Sequence, residues 1–154
     1  MPQTSAGLLP FTVDAAGVRL FIVRMAGPFF VGKDFGAWTI AKGLYDPASE
    51  SPVDAARREF AEEVGVPAPE GELIDLGQVR ASSGKLITVF AVDTHPSLAF
   101  VGSNLFELEW PRGSGTMQWF PEVDDGQWFA PDVARRKLTA GQVPLVDTLE
   151  KLVG

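Results

Sequence analysis

Glu59, Glu62 and Glu63 stand at positions i, i+3 and i+4, beside Arg58 and just ahead of Gly65. On an α-helix that spacing puts three carboxylates on one face, within reach of a common point. Three negative charges so close repel one another unless a cation stands among them. The cluster reads as a metal site; the plainer reading is an acidic helix face turned to water. Its surroundings favour the metal. Arg57 and Arg58 lie inside the acidic run, and Lys42, Gly43 and Glu50 precede it at a distance that lets them fold back onto it.

A helix must carry these side chains, and its ends are written in the sequence. Ser51 is a good N-cap, Pro52 suits the first helical position, and Asp54 follows the cap by three residues. Gly65 is placed to end the helix. The expected helix spans 52–64, about 20 Å. Val53, Ala56, Phe60 and Val64 form an apolar stripe centred about 110° from the glutamates. One face should therefore be buried and the acidic face left free.

The stretch Gly43-x6-Glu50-x7-Arg58-Glu59-Phe60-x-Glu62-Glu63-x-Gly65-Val66 resembles the signature of the Nudix hydrolase family. That signature is G-x5-E-x7-R-E-U-x-E-E-x-G-U, with U a bulky apolar residue. From Arg58 onward every fixed position agrees. Glu50 lies one residue further from Gly43 than the pattern has it, and Ala41 stands where a proline often precedes the loop. Both departures precede the helix cap, where a loop absorbs an added residue.

The resemblance implies an α/β/α sandwich with a mixed central sheet and the signature at one end of it. It also implies cleavage of a pyrophosphate bond in a nucleoside diphosphate linked to another group, such as a nucleoside triphosphate or a dinucleoside polyphosphate. Carried over position by position, Glu59, Glu62 and Glu63 would be metal ligands, joined by the backbone carbonyl of Lys42 or Gly43. Arg58 would orient the carboxylates and pair with Glu50. The general base varies in the family between a glutamate of the signature helix, here Glu62 or Glu63, and one on a later loop. Glu122, six residues before Trp128, is the first loop candidate, followed by Glu107 and Glu109. A noncatalytic nucleotide-binding or regulatory module of the same fold is the competing class. Such modules usually lose signature carboxylates, which this chain keeps. Homodimers are common in the family.

The missing residue types narrow the metal. The chain has no cysteine and a single histidine, His95, beside Pro96 at an expected strand end. Zinc prefers those two ligands. Glutamates and backbone carbonyls suit Mg2+ or Mn2+. His95 reads as structural or exposed.

Substrate choice must lie outside the signature. Region 26–37 is rich in glycine and carries Phe29, Phe30, Lys33 and Phe35, which offer rings for a base and a cation for phosphate. Phe106, Trp110, Arg112 and Trp119 offer the same chemistry further on. Lys33, Phe35 and Arg112 are the foremost candidates, although phenylalanines that merely anchor a loop would look alike.

With 154 residues, 45% hydrophobic and 21% charged, the chain suits a single folded domain over 1–154. No apolar run approaches 18 residues and no basic-then-apolar leader opens the chain, so no membrane partner and a cytoplasmic location are expected. A net charge of −7 argues against binding a nucleic acid polymer. It leaves room for a small polyphosphate, because bound divalent ions invert the local field. Expected elements are a hairpin over 7–13 and 18–23, a short strand 38–41, a hairpin over 72–81 and 86–92, a strand 127–130, and helices 131–137 and 143–152. Region 100–121, with three glycines, reads as loops.

Overall fold

The structure is a computed structural model describing residues 4–81 and 83–154. In chain order it comprises β1 (Thr4–Asp14), β2 (Gly17–Met25), β3 (Trp38–Thr39), β4 (Ala41–Leu44) and α1 (Pro52–Val64). There follow β5 (Ile74–Arg80), β6 (Leu86–Asp93), β7 (Leu105–Glu109), β8 (Met117–Pro121), β9 (Val123–Phe129), α2 (Pro131–Lys137) and α3 (Pro144–Val153). Among the described residues the main sheet runs β3-β2-β1-β6-β5, with β4 also against β1 and β9 also against β2. β1 and β6 are parallel and the remaining pairs antiparallel, so the sheet is mixed.

Alternation along the strands builds two cores. Leu9, Phe11, Leu20, Ile22, Val89 and Ala91 face one way, onto Ala134 of α2 and Leu145, Val146 and Leu149 of α3. Ala6, Leu8, Phe21, Val23, Phe90 and Val92 face the other way, onto Ala56, Phe60 and Val64 of α1. Helices thus cover both faces of the sheet, as the signature implied. Among the described residues no helix is long and apolar enough to cross a membrane.

The sheet forks where the site is built. β2 pairs with β1 only from Gly17 to Leu20, while β4 takes the same flank of β1 at Ser5 to Leu8. Pro10, which has no N–H to give, falls in the gap between these two antiparallel partners. The expected single strand 38–41 is split at Ile40. β3 stays with β2, and the chain then crosses to β1 as β4. The buried Gln142 satisfies the crossing: its Oε1 accepts from the Ile40 N–H at 2.9 Å, and its Nε2 donates to Thr39 Oγ1 at 2.8 Å. β4 can lie so close to β1 because residue 7 is glycine; a Cβ there would come within 2.6 Å of Ile40 Cδ1.

The remaining expected elements form within a few residues of their sequence bounds. Region 100–121 does not consist of loops. It contains an antiparallel hairpin, with Phe106 opposite Phe120 and Leu108 opposite Gln118 on one face. Only one side of this pair is apolar enough to bury, and the segment it packs on, around Gly27, comes from the other end of the chain.

Candidate active site at the junction of α1 and β4

Local hydrogen bonds fix where α1 starts and stops. Ser51 Oγ accepts from the Asp54 N–H at 3.1 Å, and Gly65, at φ 83°, donates its N–H to the Ala61 carbonyl. The left-handed conformation at Gly65 is one that a side chain resists. A residue with a Cβ there would also collide with the backbone of Gly102, 2.4 Å from its carbonyl oxygen.

The acidic face of α1 is free only at Glu62, where the helical wheel left all three acids free. Glu59 is only 8% exposed, because β4 lies across that side of the helix. Gly43 makes the approach possible. A Cβ at residue 43 would stand 2.0 Å from Glu59 Oε2, so any side chain there must displace the carboxylate. Arg58 is the cation among the acids. It grips Glu50 through two hydrogen bonds of 2.9 Å, as the signature implied, and Nη1 also donates to Glu59 at 2.9 Å and to Glu62 at 3.2 Å. These partners raise the Arg58 pKa and lower that of Glu50. Burial raises Glu59, against the opposing pull of Arg58.

Glu63 is the exception. It accepts a long hydrogen bond from the Lys42 N–H at 3.4 Å. Burial pushes its carboxyl up to about 8, the positive charge and N–H of Lys42 oppose the shift, and the charges of Glu59 and Glu122 add to it. Glu122, distant in sequence, is tied to the last turn of α1. A ladder of backbone hydrogen bonds holds it there. Asn104 N–H donates to the Glu62 carbonyl, Glu122 N–H to the Asn104 carbonyl, and Ala26 N–H to the Glu122 carbonyl. Ser103 Oγ braces the ladder by accepting from the Val123 N–H at 3.2 Å. Neither Ser103 nor Asn104 had a sequence signal beyond its type.

The donor set suits a hard divalent cation: carboxylates of Glu59, Glu62 and Glu63, with backbone carbonyls alongside at Lys42 and Gly43. Among the described residues no three acidic or histidine side chains converge as a metal group. Glu59 and Glu62 turn to Arg58, while Glu63 turns to Lys42. The repulsion expected among three acids is relieved by the chain's own guanidinium.

The other candidates divide. Glu107 and Glu109 lie in β7 on the face opposite to Phe106 and Leu108, alongside the exposed Leu105, and Glu109 accepts from the Gly113 N–H at 2.8 Å. Trp119 is on that exposed face too. His95 caps its own turn, with Nδ1 against Ser97 Oγ at 2.8 Å. Phe35 is drawn toward α2, where the Lys137 ammonium stands over its ring at 5.5 Å and bonds Asp34 at 2.5 Å. Phe30, Trp110, Gln118 and Phe120 line a cleft of about 520 Å³ between region 26–32 and the β7–β8 hairpin. Lys33 sits over the Phe30 ring at 5.9 Å and Arg112 over the Phe29 ring at 5.8 Å, beside that cleft. Gln118 and Phe120 escaped the sequence reading, and their alternation with Trp119 and Pro121 was the signal available.

The fold and this junction define a NUDIX domain. The profile of that family matches residues 1–149, and the chain belongs to it. An uncharacterized 17.7 kDa protein of Enterobacteria phage T4, from the e-segB intergenic region, is 36% identical over 91 residues. That match spans 58% of this chain and 58% of the phage protein. Among solved structures, the NUDIX domain of Shewanella oneidensis NrtR complexed with ADP ribose is similar at a TM-score of 0.64 and 17% identity, covering 99% of this chain and 88% of that one. A C. elegans Ap4A hydrolase in a binary complex is similar at 0.62 and 18%, covering 97% and 96%. At such identities the likeness concerns the fold.

Proposed function

We propose that this chain, with Mg2+ or Mn2+ bound, hydrolyses a pyrophosphate bond in a nucleoside diphosphate linked to another group. A nucleoside triphosphate and a dinucleoside polyphosphate are the foremost substrates. One observation carries the reading: Glu59 is packed against Gly43 where β4 crosses α1, with Arg58 tying Glu50, Glu59 and Glu62 together and Glu63 accepting from the Lys42 N–H. Family membership supports it, as do structural neighbours described with ADP ribose and as an Ap4A hydrolase. The net charge of −7 fits a small-molecule substrate better than a nucleic acid polymer.

A divalent cation bound here would supply Lewis acidity and a template for the phosphates. Glu59, Glu62 and Glu63, with the carbonyl of Lys42 or Gly43, would hold it. Arg58, itself held by Glu50, keeps Glu59 and Glu62 from turning away into solvent. The Lys42 charge offsets that of Glu63 when the carboxyl ionises. Glu122 approaches from the β8–β9 junction, independently of α1, and is the group assigned to take the proton from the attacking water.

The test is a panel of nucleoside triphosphates, dinucleoside polyphosphates and ADP ribose incubated with Mg2+, Mn2+ or EDTA, with products separated by chromatography. Cleavage with either metal and none in EDTA is expected. Binding of a nucleotide with no product in any arm would replace the hydrolase by the noncatalytic module.

A further inference from the structure

The cleft between region 26–32 and the β7–β8 hairpin is separate from the acidic junction and has its own chemistry. Its walls come from two distant parts of the chain, Phe30 on one side and Trp110 and Phe120 on the other. The walls are braced from behind. Trp110 meets Phe29 edge-on at 5.3 Å, Phe120 packs on Phe106 at 6.0 Å, and Gly27 leaves just enough space for the Phe106 ring, 3.3 Å from where its Cβ would lie. The rings are thus held in place before any ligand arrives, which lowers the ordering cost of binding.

Polar groups stand among the rings. Gln118 donates from Nε2 to the Trp110 carbonyl at 2.6 Å, which fixes the amide and leaves its Oε1 as an acceptor at the cleft. The Arg24–Asp124 pair, 2.6 Å apart, closes the floor with its charges matched. Lys33 over Phe30 and Arg112 over Phe29 place two cations near the cleft in an acidic protein. A volume of about 520 Å³ accommodates a nucleoside.

The floor also leads to the acidic junction. Pro121 and Asp124 line the cleft on either side of Glu122 in sequence, and Ala26, another lining residue, donates its N–H to the Glu122 carbonyl. Rigid aromatic walls, one fixed amide acceptor, two cations nearby and a carboxylate centre next door match a flat heteroaromatic ring carrying phosphates. An apolar ligand would leave Gln118 and the cations without a use. We infer that this cleft binds the nucleobase end of the substrate, with Trp110 as a stacking wall and Gln118 reading the ring edge. The inference rests on the polyphosphate reading above but concerns binding only.

Calorimetric titrations of wild type, Trp110→Ala, Trp110→Phe and Gln118→Ala with ADP, GDP, CDP, UDP and inorganic pyrophosphate test it, after thermal melts show each variant folded. The wild type should prefer at least one nucleoside diphosphate to pyrophosphate. For that ligand Trp110→Ala should lose about tenfold or more in affinity, Trp110→Phe less than about threefold, and Gln118→Ala should narrow the differences among bases. Unchanged affinity in Trp110→Ala overturns the inference, as does equal binding of pyrophosphate or no binding of any diphosphate. The two readings fail separately. Ring-dependent binding without turnover leaves the cleft and removes the hydrolase. Metal-dependent turnover with an unaltered KM in Trp110→Ala removes the cleft alone.

Discussion

Arg58 and Arg135 each draw three carboxylates to one guanidinium. Arg58 takes Glu50, Glu59 and Glu62, whose side chains are 23%, 11% and 41% exposed. Arg135 takes Asp132, Asp147 and Glu150, which are 93%, 59% and 41% exposed. The contact pattern is nearly the same, yet the surroundings are not. Arg135 ties α2 to α3 on the surface, where such pairs contribute little and salt weakens them further. Arg58 holds Glu59 where β4 crosses α1 at Gly43, and Glu63, four residues on, accepts from the Lys42 N–H of that strand. An arginine surrounded by acids is therefore not by itself a site. The distinguishing mark is a partly buried carboxylate, Glu63, whose hydrogen bond comes from a backbone N–H and not from a guanidinium.

Substitutions of the acids should separate the clusters most sharply. Glu62→Gln and Glu63→Gln are expected to lower metal-dependent kcat by about a hundredfold or more, with the fold retained in circular dichroism. Asp147→Asn, made at the other arginine, should leave kcat unchanged. Undiminished turnover in both glutamate variants would reject the metal assignment. Glu122→Gln comes next, with an expected fall in kcat of about 10²–10⁴ and little change in KM. A loss confined to KM would move Glu122 from proton transfer to substrate contact.

The smallest contrast is in stability. Arg58→Ala should destabilise by about 2 kcal/mol, less than a fully buried pair because Arg58 is partly exposed, since Glu59 would be left beside its neighbours with no cation. Arg135→Ala should cost under about 1 kcal/mol. Urea melts of both variants, without added metal, measure the difference. Equal values would mean that β4 does not shield the Arg58 cluster as its burial indicates.

Much of this was legible in the chain because the signals are local. Ser51, Pro52 and Gly65 set the bounds of α1, each through a hydrogen bond or backbone angle decided within one turn. Apolar runs marked β1, β2 and β6, which are buried along most of their length, while β5 buries only Leu76 fully and was marked by its hairpin with β6. The β7–β8 hairpin was not legible. Its strands have one thin apolar face, and what covers Phe106 is Gly27, contributed by a distant part of the chain. Phe35 and Phe30 illustrate the same limit: identical side chains in one loop, one held toward Lys137 and the other lining the cleft.

The sequence by itself determined the helix, the spacing of its acids, the pairing of Arg58 with Glu50 and the family. Those follow from the α-helical period and from groups only a few residues apart. Tertiary structure alone decided that Glu59 is buried against Gly43, that Glu63 meets the Lys42 N–H and not Arg58, that Glu122 is tied through Asn104 to the last turn of α1 and that a walled cleft opens between region 26–32 and the β7–β8 hairpin. Burial and electrostatics depend on what is packed opposite a side chain, and here the opposing residues come from distant strands.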